Sequence, residues 1–154
     1  MNEPRFSKAS SAFTMTCAVE VGIRATPQTV WYVLTDTKGF PRWNSTVTGI
    51  EGRIRDGERL SLRVPGTSRT FTPKVSDVVP ARRMTWSDGF APVFKGVRTF
   101  VLEAGDGGST HFEMKERFTG LVFALARGML PDFQPIFVAF ANDLKLEAER
   151  IGKS

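Results

Sequence analysis

The chain has 154 residues, 41% hydrophobic and 24% charged, which fits one globular domain and excludes a disordered or fibrous chain. The net charge of +5 comes from scattered basic residues without a compact recognition motif, so no nucleic-acid partner is expected. One cysteine, Cys17, and one histidine, His111, exclude an internal disulfide framework and a Cys/His zinc site. The polar start, residues 1–11, reads as a flexible tail without the apolar core of a signal peptide. No later window reaches the length of a membrane span, so a cytoplasmic protein is expected.

From Ala12 to Arg24 the chain alternates, with Phe13, Met15, Cys17, Val19, Val21 and Ile23 on one face, which predicts a strand. Thr26 then caps a short helix with Pro27 at its first position, where the missing N–H has no partner to lose. The run Gly39 to Asn44 holds breakers and two large rings and predicts a turn or second short helix. Six strands follow: 47–53, 59–64, 70–79, 83–87, 96–103 and 109–119. They are separated at Asp56-Gly57, Pro65-Gly66, Pro80, Asp88-Gly89 and Gly105 to Gly108, all with turn chemistry. Leu121 to Leu130 is apolar and predicts a helix, with Pro131 marking a kink or break. From Phe133 onward Ile136, Phe137, Phe140, Leu144 and Ile151 fall on one helical stripe, with Asp132 as its N-cap and Pro135 in the tolerant first turn.

The order β-α-α-β-β-β-β-β-β-α predicts an α+β domain over residues 12–151. A seven-stranded antiparallel sheet needs more cover than two short helices, so it must curve around the long C-terminal helix. Thirteen phenylalanines against one tyrosine demand a dry interior, either a filled core or the lining of a cavity between sheet and helix.

Several runs together resemble the polyketide cyclase/dehydrase branch of the START-like, or SRPBCC, superfamily. They are Thr26-Pro-Gln-Thr-Val-Trp-Tyr-Val-Leu-Thr-Asp36, Phe40-Pro-Arg-Trp-Asn44, Pro80-Ala-Arg-Arg-Met-Thr-Trp86 and Phe118-Thr-Gly120, ahead of a helix ending Leu144-Lys-Leu-Glu-Ala-Glu149. The resemblance runs from Ala12 to Arg150. It implies the helix-grip fold with a hydrophobic cavity and a small hydrophobic ligand as partner. It implies no particular chemistry, because members either bind lipids, sterols, hormones or polyketides or cyclise them.

Alternation on the last two strands sets Phe112, Met114, Glu116 and Phe118 inward and His111, Glu113, Lys115 and Arg117 outward. Pairing Leu102 with Phe112 and Phe100 with Met114 then places Arg98 opposite Glu116 on the inner face. That pair is a structural ion pair, a polar hook for a ligand, or a wet pair at the cavity mouth. Leu60, Leu62, Met84 and Trp86 extend the wall, Phe133, Phe137 and Phe140 close it from the helix, and Trp43 plugs or lines one end. By the resemblance, the loops Pro65 to Arg69 and Asp88 to Lys95 flank the entrance, where Phe90 and Phe94 are exposed unless they fold over a ligand.

No metal, nucleotide or triad signature is present and no cofactor is expected. His111 is on the outer face, and Cys17, on an apolar face, is a poor nucleophile. The first functional reading is binding or carrying of a small hydrophobic or amphiphilic molecule, with Arg98 and Glu116 orienting it. A second is a cyclase, aromatase or dehydrase with Glu116 as general base and Arg98 stabilising enolate charge. There, burial disfavours the carboxylate charge while the guanidinium favours it, and the two demands conflict. A third is a filled core acting through its surface or as a homodimer.

Overall fold

The computed structural model describes residues 3–90, 92–121 and 132–153. Strands β1 (Arg5–Ser10), β2 (Thr14–Ile23), β6 (Lys74–Val79), β7 (Arg83–Phe90), β8 (Phe94–Ala104) and β9 (Thr110–Thr119) form an antiparallel six-stranded sheet. Its order is β1-β2-β9-β8-β7-β6. A second antiparallel sheet holds β3 (Gly49–Glu51), β4 (Ser61–Arg63) and β5 (Thr70–Phe71). Helices α1 (Pro27–Thr35) and α2 (Phe40–Trp43) follow β2, and the long α3 (Gln134–Gly152) packs on β2, β9 and α1. This is the expected α+β class, and no helix among the described residues is long and apolar enough to cross a membrane.

Local chemistry accounts for most of the boundaries. Thr26 caps α1 by accepting from the Thr29 N–H at 3.2 Å, with Pro27 in the first turn. On β2, Met15, Cys17, Val19, Val21 and Ile23 are buried under α3, whereas Phe13 precedes the strand and is 54% exposed. At the start of α3 the Asp132 carboxylate accepts from the Gln134 N–H at 3.1 Å, although the residue at the cap position is Phe133.

Two expectations are corrected. The single seven-stranded sheet is six strands plus three, because Pro73, which has no N–H to donate, interrupts the run from Thr70 to Val79. The piece before it pairs with β4 and the piece after it with β7. A bridge between Arg59 and Lys74, backbone bonds such as Leu60 N–H to Pro73 C=O at 2.9 Å, and side-chain bonds such as Arg59 to the Thr72 C=O join the two sheets there. The N-terminal segment expected as a tail contains β1, an edge strand on β2. It buries little beyond Phe6, which meets the Phe137 ring edge-on at 5.9 Å, so its sequence carries no alternation to read. The helix expected over Leu121 to Leu130, with its break at Pro131, falls on residues 122–131, outside the described residues.

Candidate functional site

Hairpin β8–β9 has the expected register: Leu102 faces Phe112, Phe100 faces Met114 and Arg98 faces Glu116. Arg98 Nε donates to Glu116 Oε1 at 2.7 Å, and the two side chains are 21% and 16% exposed. The pair is thus neither sealed in the core nor fully wet. A charge-assisted bond in such a setting is worth about 1–3 kcal/mol.

Beneath it the Phe137 ring of α3 receives the Arg98 guanidinium at 5.2 Å, a cation–π contact that fixes the plane of the donors. Arg98 Nε is spent on Glu116, and its Nη groups have no protein partner among the described residues. Glu116 Oε2 lies over Gly96, where a side-chain carbon would come within 3.1 Å of that oxygen and 3.6 Å of the Phe118 ring. Glycine at 96 therefore lets the carboxylate and the Phe118 ring close in over the backbone.

Rings surround the pair on one side. Phe94 tilts on Phe118 at 6.2 Å, Phe118 stacks on Phe133 at 5.0 Å, and Phe133 meets Phe137 edge-on at 6.2 Å. On the inner side the packing is ring on ring. Phe40 touches Trp43, Trp86 and Phe140, and Phe100 lies against Trp86 at 4.8 Å and Phe140 at 6.0 Å. Leu60, Met84 and Met114 are buried behind this cluster, and Leu62 is half-buried. The Phe90 side chain lies outside the described part of the structure, and Phe94, expected at the entrance, is half-buried against the core.

Two polar groups inside this wall lack partners. The Trp86 indole Nε1–H and the Asn44 amide Nδ2 are buried without a hydrogen bond. Each such donor costs about 1–3 kcal/mol when nothing accepts from it. Asn44 was not singled out in the sequence, because the burial of a residue ending a four-residue helix depends on what packs over it. Gly96 was legible only as the start of a strand.

Cys17 faces Glu116 across β2 and β9 and is buried. Burial pushes its thiol up; Lys8 opposes this, while Glu116 and Asp132 add to it, so a reactive thiolate is disfavoured. His111 is on the outer face, 3.4 Å from Glu20, away from the site. Clefts outside the grip were not foreseen. One of about 380 Å³ lies between Trp31, Lys38, Arg53, Ile54 and Pro80. Another of about 200 Å³ lies between Trp43, Asp143, Leu146 and Arg150, so Trp43 plugs the grip with one side and lines this cleft with the other.

A long C-terminal helix packed on a large antiparallel sheet, with rings around one polar pair, defines the START-like class of helix-grip folds. The chain belongs to the polyketide cyclase/dehydrase and lipid transport family, whose model matches residues 14–149. Solved structures agree on the fold. The ZhuI aromatase/cyclase from Streptomyces sp. R1128 superposes with a TM-score of 0.71 at 23% identity, over 89% of this chain and 94% of that one. A protein from Mesorhizobium loti gives 0.69 at 20% identity, over 88% and 97%. A START superfamily protein from Mycobacterium smegmatis gives 0.64 at 18%, over 88% and 98%. A search of curated proteins finds no match to this sequence.

Proposed function

We propose that the protein binds or carries a small apolar or amphiphilic molecule, such as a lipid or polyketide, at the mouth of the grip. Arg98 and Glu116 orient the polar end of that molecule. The observation that carries this reading is the polar pair itself: it stands among Phe94, Phe118, Phe133 and Phe137 with the Nη groups and Oε2 unspent. Apolar walls supply affinity and a few directed polar groups supply orientation, which is the usual division in such sites. Thermal-shift and native mass-spectrometric screens against lipids, sterols and aromatic polyketides test it. Stabilisation by at least one class is expected, following mass action. No response to any of them would leave the filled core, acting through its surface, as the better reading.

A cyclase, aromatase or dehydrase is the second reading, favoured by one feature: the partly exposed Glu116 keeps Oε2 free of hydrogen bonds among the described residues. A general base needs access of this kind to a substrate proton. Glu116→Gln keeps the shape and removes the base. Turnover of a poly-β-ketone substrate is expected to fall by 10² or more, in the range of roughly 10²–10⁴ for a positioned base. Unchanged turnover would end the enzymatic reading and leave the binding reading intact.

A further inference from the structure

We propose that the Trp86 indole Nε1–H donates to an oxygen of the bound molecule, so that the site prefers apolar guests bearing a carbonyl or hydroxyl oxygen over plain hydrocarbons. This rests on the apolar-guest reading above and names the class of guest more narrowly.

Trp86 is only 4% exposed, and its Nε1 has no acceptor. In the sheet register Trp86 faces Arg98, and Arg98 faces Glu116, so the three stand in one row across β7, β8 and β9. Trp86 and Arg98 thus bring unspent donors to neighbouring strands. Gly96 is two residues along β8 from Arg98, and its missing side chain lets the Glu116 carboxylate lie close over the strand beside this row. The other unpartnered buried group is Asn44 Nδ2, whose own Oδ1 already accepts from the Thr46 N–H and hydroxyl. Asn44 closes α2 by donating its backbone N–H to Phe40, whose ring lies 6.5 Å from that of Trp86. Among the described residues both fully buried unpartnered side-chain groups are donors. The fully buried Trp86 donor, unlike the partly exposed Glu116 Oε2, has no access to water, so a guest that brings an acceptor completes it and a hydrocarbon leaves it dry.

The pair 1-tetralone and tetralin tests this, since they share a fused bicyclic frame and differ at one carbonyl. Each is titrated into the full chain while the indole N–H resonances are followed by NMR. The ketone is expected to bind about tenfold more tightly, the worth of one well-made hydrogen bond. The Trp86 indole resonance should move downfield with the ketone alone. In Trp86→Phe the preference should fall to about one, with the thermal melt confirming the fold.

Equal affinities in the unaltered protein, or an unchanged preference in Trp86→Phe, would overturn the inference while leaving the apolar-guest reading standing. So would an indole resonance that sits upfield, as for an N–H held against a Phe ring, and ignores the ketone. If Trp86→Phe fails to fold, the resonance of the unaltered protein decides. Binding of neither compound at any concentration would overturn this inference, and the lipid, sterol and polyketide screens would then decide the apolar-guest reading separately.

Discussion

The two halves of α3 hold the sheet by different physics. The first half lies on rings: Phe133 on Phe118, Phe137 under Arg98 and against Phe6, and Phe140 among Phe40, Trp43 and Phe100. The second half buries charges. Glu147 takes Arg42 at 2.8 Å and Arg150 at 2.8 Å, and Glu149 takes Lys145 together with the Arg24 backbone N–H at 2.9 Å. Dispersion contacts are non-directional and tolerate rearrangement, whereas buried ion pairs hold one geometry. The helix is therefore pinned at its C-terminal half and left adaptable at the half that lies on rings.

The largest break comes where the halves meet. Phe140 is 1% exposed and joins the inner ring cluster, so Phe140→Ala is expected to remove about 3–5 kcal/mol of stability. Urea unfolding followed by circular dichroism measures it. A loss under 1 kcal/mol would mean that the cluster relaxes around the deletion. Next comes Glu149→Ala, which strands the buried Lys145 ammonium and the Arg24 N–H. The expected loss is about 3 kcal/mol, the lower end for breaking a buried pair, and Glu149→Gln should lose less because its amide oxygen still accepts from Arg24.

Acid separates the halves without mutation. Bonds from Arg150 and Arg42 outweigh burial and hold the Glu147 carboxyl below its ordinary value. Burial pushes Glu149 up, but the Arg24 N–H and Lys145 together outweigh it and leave that carboxyl lowered too. A lowered carboxylate contributes stability that is present above its unfolded value, about 4.3, and is lost as pH falls through the folded value. The urea midpoint should therefore drop between about pH 5 and pH 3. The double variant Glu147→Gln, Glu149→Gln should flatten that drop, whereas substitutions in the ring half should leave it unchanged.

The same division governs what the sequence tells. The ring half was legible, because Phe133, Phe137 and Phe140 repeat at helical spacing and the partner wall on β8 and β9 alternates cleanly enough to give the Arg98–Glu116 register. The charged half was not. Leu146 is 59% exposed while Lys145, Glu147 and Glu149 are buried, the reverse of what polarity alone suggests. Their burial depends on Arg24 and Arg42, which come from more than a hundred residues earlier and only the fold brings them close. Likewise β1 was silent because one buried ring gives no period, and the division into two sheets turned on Pro73 inside a run that otherwise alternates. The unpartnered Trp86 donor had no signature either, since an indole that packs and an indole that binds read alike.

The smallest effect on stability should come from Phe133→Ala, and it distinguishes anchoring from gripping most finely. Phe133 is half-buried and stacks on Phe118 at the mouth, so its deletion should reduce stability by only about 1 kcal/mol. If the mouth is where an apolar guest sits, the same deletion removes part of its wall, and affinity for 1-tetralone should fall at least as much as stability does. A melting temperature that drops as far as it does for Phe140→Ala would mean that the first turn of α3 anchors the fold as strongly as its centre. The adaptable half would then shrink to the Arg98–Phe137 contact, and the contrast between rings and charges would no longer divide the helix into two working parts.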